Sequence, residues 1–166
     1  MISGEGTTTI RRSAAEVMEF VLDFRRYAEA DTKIRRVVEM EREGNHGRVR
    51  YNAWFWKLPV PTVVHEWTLV PYSRLEVRST RRDGALERFE GLFTCEETSE
   101  GTRVLHRETF VFIPAVAPLI DRLFGSWLAC QVRDEVTLLK RVLERDASPP
   151  SSPREPNAPD RRFSAF

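Results

Sequence analysis

One long amphipathic segment, from about Leu119 to Glu144, follows an almost unbroken series of strand-like segments running from Lys33 to Ile113. At 1.5 Å per residue such a helix reaches roughly 40 Å, enough to cross several strands. The sequence holds no second segment of that length to complete a helical bundle, so the helix is expected to pack on a sheet. A strongly curved antiparallel sheet closed over one helix leaves space between the two, because a cylinder cannot fill a concave face. A cavity follows, and a cavity suggests a ligand.

The strands are read from a period of two, in segments near 34–42, 47–57, 62–71, 74–81, 86–97 and 102–113. Turn-forming stretches separate them, among them Glu43-Gly44-Asn45-His46-Gly47, Pro71-Tyr72-Ser73, Asp83-Gly84 and Ser99-Glu100-Gly101. A threonine-rich strand over Gly6–Arg12 precedes them. Ser13 then stands as an N-cap with Glu16 three residues on, a capping box. The helix it opens carries Val17, Phe20, Val21 and Phe24 on one face, and a short helix follows to about Tyr27. The expected order is one strand, two short helices, six strands and the long helix: an α+β fold with a seven-stranded curved antiparallel sheet.

At 166 residues, 41% hydrophobic and 31% charged, the chain suits one compact domain. A net charge of +1 offers no general attraction to nucleic acid, and no secretory signal pattern opens the sequence, so a cytoplasmic location is the expectation. Cys95 and Cys130 read as small core residues. After Arg145 the composition changes, and the tail over 146–166 holds half of the chain's ten prolines. It reads as a disordered Pro/Ser-rich extension to a domain over 1–145.

The run Ser13-Ala14-Ala15-Glu16-Val17 with Phe20-Val21-Leu22-Asp23-Phe24-Arg25-Arg26-Tyr27, and the closing Leu138-Leu139-Lys140-Arg141-Val142-Leu143-Glu144, resemble the superfamily of START-related lipid-binding proteins, pollen-allergen-like proteins and polyketide cyclases. The resemblance covers about Gly6 to Glu144 and implies the helix-grip fold, a curved sheet wrapped around the C-terminal helix. It implies no catalytic signature. Where many relatives carry a Pro and a Trp after the Tyr, this chain has Ala28-Glu29-Ala30-Asp31, so the pocket floor is expected to differ.

Alternation along the strands selects the cavity lining. Val49, Tyr51, Ala53 and Phe55 share one face, with Trp54 and Trp56 on the other. Val63, His65, Trp67 and Leu69 face in from the next strand, Leu75, Val77 and Ser79 from the one after, and Phe89, Gly91, Phe93 and Cys95 from the sixth. On the last strand the set His106, Glu108, Phe110 and Phe112 is assigned to the cavity, and on the helix Leu123, Trp127, Cys130 and Leu138. The expected ligand contacts are Tyr51, Phe55, His65, Trp67, Phe89, Phe93, Phe110, Leu123 and Trp127.

Tyr51, His65, His106 and Glu108 are the candidates for acid–base chemistry, since an imidazole titrates near neutrality and a carboxylate raises its basicity. A buried His or Glu is also commonly satisfied by its neighbours and does no chemistry. The histidines lack zinc-motif spacing, and phosphate-loop and serine-hydrolase motifs are absent, so neither metal nor cofactor is expected.

Three functions remain open. The first is binding of an apolar or aromatic small molecule such as a lipid, isoprenoid or polyketide. The second is a cyclase or dehydratase working through the pocket His, Glu and Tyr. The third is a protein-interaction module using the outer tryptophans or the tail. The loops 57–61, 81–84 and 114–118 are expected to meet at one edge as the cavity mouth, where a transient membrane contact could form, and Trp54 and Trp56 could serve a homodimer.

Overall fold

The computed structural model of the chain describes residues 1–56 and 58–145; the expected tail over 146–166 lies outside the described residues. The elements are β1 (Ile2–Ile10), α1 (Ala14–Leu22), α2 (Phe24–Tyr27), β2 (Ile34–Glu43), β3 (His46–Phe55), β4 (Leu58–Val70), β5 (Arg74–Ser79), β6 (Leu86–Thr98), β7 (Gly101–Phe112) and α3 (Ala117–Arg145). All strands join one antiparallel sheet in the order β1-β7-β6-β5-β4-β3-β2. The helix-grip arrangement anticipated from the sequence is the one observed.

Local chemistry explains the opening of the chain. The Ser13 hydroxyl accepts from the Glu16 backbone N–H while the Glu16 carboxylate accepts from the Ser13 backbone N–H, which closes the capping box of α1. Asp23 then ends α1 and accepts from the backbone N–H groups of Arg25 and Arg26 at the start of α2. Val17, Phe20, Val21, Phe24 and Tyr27 are buried in the main core.

Two boundaries differ from expectation for physical reasons. β1 begins at Ile2, because pairing of Ile2 with Phe110 and of Gly4 with Glu108 draws a stretch of weak strand formers into the sheet. β4 begins at Leu58 despite Pro59. Its pairing with β5 starts only at His65, so the earlier part behaves as a local edge that tolerates proline.

The sheet-facing stripe of α3 is Leu128, Val132, Glu135, Val136, Leu139, Val142 and Leu143. It is turned by about one residue, roughly 100°, from the expected stripe. Leu123 is 58% exposed, Cys130 is exposed, and Trp127 and Leu138 are half-buried. The cause lies on β1, where two glycines let the helix backbone approach. A Cβ at Gly4 would sit 2.8 Å from the Leu128 carbonyl oxygen, and one at Gly6 would sit 2.8 Å from Val136 Cγ2. Contact that close fixes which helix residues face the sheet. We expect Gly6→Val to destabilise the fold by about 1–3 kcal/mol, read as a lower urea midpoint at unchanged slope.

Candidate functional site

β7 places His106, Glu108 and Phe110 on the inner face of the sheet, and the turn after α2 brings two more charges to the same place. The Asp31 backbone N–H donates to the Tyr27 carbonyl, and the Asp31 side chain accepts from the Lys33 backbone N–H at 2.9 Å. This compact turn directs Lys33 inward. From the opposite side α3 contributes Glu135, the one charged residue on its buried stripe.

The result is a buried ionic cluster. Lys33 Nζ lies 3.0 Å from Asp31 Oδ1, 3.3 Å from Glu108 Oε2 and 2.5 Å from Glu135 Oε2. His106 Nε2 lies 3.1 Å from Glu135 Oε1 and 3.7 Å from Glu108 Oε1, while its Nδ1 is 3.1 Å from the Leu92 carbonyl oxygen. The Tyr27 hydroxyl donates to Glu135 in a short contact. Phe93 stacks on the His106 ring at 3.8 Å and Tyr27 meets Phe93 edge-on at 5.7 Å, so the cluster is sealed by aromatic faces.

Charge proximity sets the protonation states. Burial works against an imidazolium at His106, but Glu135 and then Glu108 outweigh it and raise its pKa to about 10. Burial works against a carboxylate at Glu135, yet Lys33 and His106 hold it down at about 2. At Asp31 burial and the neighbouring Glu135 prevail over Lys33 and push the carboxyl up to about 7. Burial also opposes charge on Lys33, and the three carboxylates more than compensate, keeping it an ammonium. His106, Glu108 and Glu135 carry ligand atoms within 4.8 Å of one another and could hold a divalent cation. Lys33 stands against two of them, so a tethered ammonium already supplies positive charge there.

Next to the cluster opens a cavity of about 390 Å³. Its apolar wall includes Ala53, Phe55, Val63, Phe89, Phe110 and Phe112, and its polar end is formed by Asp31, Lys33, Tyr51, His65 and Glu108. A narrow extension of about 30 Å³ continues past His106 and Phe93. Leu58 and Val60 face the 83–86 loop across the cavity, so two of the three expected rim segments border it; the segment before α3 does not. Tyr51 Oη lies 3.1 Å from His65 Nδ1, and the His65 ring stacks on Phe89 at 4.5 Å. Burial lowers the His65 pKa to about 4 and raises that of Tyr51, so the pair is neutral near pH 7.

Several expected positions are corrected. The described cavity lining comes from strands and loops, not from α3. Leu123 points to solvent, and Trp127 lies behind Phe55 at 5.1 Å, in an open recess of about 510 Å³ that it shares with Thr32, Lys33, Trp54, Trp56 and Gln131. Trp67 is buried but borders neither the cavity nor its extension, because its ring lies over Gly47 of the paired strand β3. Trp54 and Trp56, expected on the outer face, border that open recess, with Trp56 52% exposed. Tyr51, Ala53 and Phe55 keep their inward alternation, the extra residue at the register shift lying on β4, and Trp54 reaches the cavity wall beside them while the Trp56 ring sits 5.5 Å from Phe124. Asp31, Lys33 and Glu135 escaped the sequence reading as site residues. Only Glu135 left a signal there, as an acid in phase with an apolar helical stripe.

Removing the ammonium strands buried carboxylates. Lys33→Met is expected to cost about 3–5 kcal/mol in urea unfolding. His106 titrates at about 10 when folded and near 6.5 when unfolded, so its stabilisation is complete below pH 6.5 and fades as pH rises toward 10. Between pH 7 and 9 we expect the protein to lose roughly 2 kcal/mol of stability, and His106→Gln to flatten that slope.

The family model described as polyketide cyclase / dehydrase and lipid transport matches residues 1–144. Among solved structures, the Zhui aromatase/cyclase from a Streptomyces species superposes with a TM-score of 0.75 at 15% identity, covering 88% of this chain and 95% of that one. The di-domain aromatase/cyclase StfQ from the steffimycin biosynthetic pathway gives 0.71 at 15% identity over 88% of this chain and 51% of that one, so the present chain spans about half of StfQ. A START superfamily protein from Mycobacterium smegmatis gives 0.67 at 14% identity over 86% and 97% of the two chains. No curated protein sequence matches. Likeness at these identities concerns the fold; the family assignment rests on the match over 1–144, and by it the chain belongs to the polyketide cyclase/dehydrase and lipid transport family.

Proposed function

We propose that the protein binds an apolar, aromatic small molecule of the lipid, isoprenoid or polyketide kind in the cavity bounded by β3, β4, β6 and β7. The observation that carries this reading is a space of about 390 Å³ walled by four phenylalanines and closed at one end by polar groups. That size and lining suit a small-molecule site, and burial of apolar area supplies affinity at ~25 cal/mol per Å² before ordering costs. The family's association with polyketides and lipids supports the same ligand class.

A second reading, cyclisation or dehydration of a polyketide-like substrate, is favoured by the Tyr51–His65 pair on the cavity wall. A neutral imidazole beside a phenol can pass a proton to or from a bound enol or alcohol. His106 suits that task less well. It retains its proton through neutral pH and lies between Phe93 and the carboxylates. Glu108 likewise serves the cluster first, through Lys33.

The two readings separate experimentally. Native mass spectrometry of protein purified from its own host, followed by denaturing extraction, should release a stoichiometric apolar molecule; repeated recovery of empty protein would count against the binding reading. Ala53→Phe, which places a ring inside the cavity, should weaken binding of that molecule at least tenfold. His65→Ala should leave occupancy within a few-fold if the protein is a carrier, and should abolish turnover of a polyketide-like substrate if it is an enzyme.

A further inference from the structure

Among the described residues, the charged side chains at the cavity wall are three acids, Asp31, Asp83 and Glu108, and one base, Lys33, with no arginine. The Lys33 ammonium is already held between Asp31, Glu108 and Glu135, all within 3.3 Å. His106, the other cation of the cluster, lies against Glu135 and the Leu92 carbonyl. Five charged groups therefore carry three negative and two positive charges, and protonation of Asp31 brings the sum only to zero. Among the described residues of the cluster and the cavity wall, no positive charge is left over for a ligand.

One acceptor is left over. Glu108 Oε2 is buried and meets no hydrogen bond; its approach to Lys33 at 3.3 Å lacks hydrogen-bond alignment. A buried carboxylate oxygen without a donor is costly, and a donor brought by a ligand removes that cost. The Tyr51–His65 pair adds neutral hydrogen-bonding capacity, which suits a carbonyl or hydroxyl and cannot balance a carboxylate.

We infer that the cavity selects ligands bearing an O–H or N–H donor at the end that reaches Glu108, such as phenols, alcohols or amines on an apolar frame, and rejects carboxylates of the same frame. This deepens the binding reading above and rests on it. An aromatic polyol fits the chemistry; a free fatty acid does not, because its anion would add an unpaired buried charge to a group already short of cations.

The test is a panel of probes on one skeleton, titrated into the wild-type protein by calorimetry at pH 7: 2-methylnaphthalene, 2-naphthol, 2-naphthylmethylamine and 2-naphthoate. The naphthol or the amine should bind at least tenfold tighter than the naphthoate, and tighter than the hydrocarbon. Glu108→Gln should narrow the gap to the naphthoate to within about threefold. If the naphthoate binds as well as the donors while the hydrocarbon also binds, the selectivity is overturned and the apolar site stands. Failure of all four probes would overturn both.

Discussion

The Lys33 ammonium is the point on which the inner face of this protein depends. It joins three carboxylates that reach it from three separate parts of the fold: Asp31 from the turn after α2, Glu108 from β7 and Glu135 from α3. Each partner is almost fully buried, so none can fall back on water. The helix is thereby tied to the sheet by charge at the position where apolar packing gives way to the cavity. Ion pairs of this kind are weak evidence for net stability, because desolvation offsets much of the attraction. Their geometric demand is strict, however, since a displaced partner leaves a bare charge in a medium that cannot solvate it.

That demand shapes the cavity beside it. Apolar side chains alone would let α3 settle deeper onto the sheet, as they do where Leu128, Val132 and Val136 lie over the glycines of β1. Between Val132 and Val136, Glu135 meets His106 and Tyr27, and Phe93 packs against both of those rings. Beside this plug a space of about 390 Å³ remains against β3, β4, β6 and β7, and among the described residues none from α3 lines it. The polar end of that space is the exposed side of the same plug. Structure and recognition thus share residues: Asp31, Lys33 and Glu108 belong both to the ionic cluster and to the cavity wall.

Two histidines that look equivalent in sequence acquire opposite characters from these surroundings. His106 is surrounded by carboxylates and stays protonated well past neutrality, whereas His65 meets Tyr51 and Phe89 and loses its proton easily. Burial alone would depress both; the nearby charge decides. A neutral imidazole on the cavity wall is the one available for proton traffic, and a charged one in the plug is the one that holds structure.

The order of elements, the strand alternation that turns Tyr51, His65, Phe89 and Glu108 inward, and the capping box at Ser13 and Glu16 were all determined by the sequence, because each depends on neighbours within a few residues. The rotation of α3 was decided only in three dimensions, by the close approach permitted at Gly4 and Gly6, and with it the exposure of Leu123 and Cys130. Trp54 also reaches the cavity wall beside Ala53 and Phe55, which alternation along β3 does not encode. Lys33 and Asp31 sit in a non-periodic turn, and Glu135 is 102 residues from Lys33 along the chain. Coulombic partners are chosen by distance in space, and no pattern of neighbours in sequence encodes which buried charges will meet.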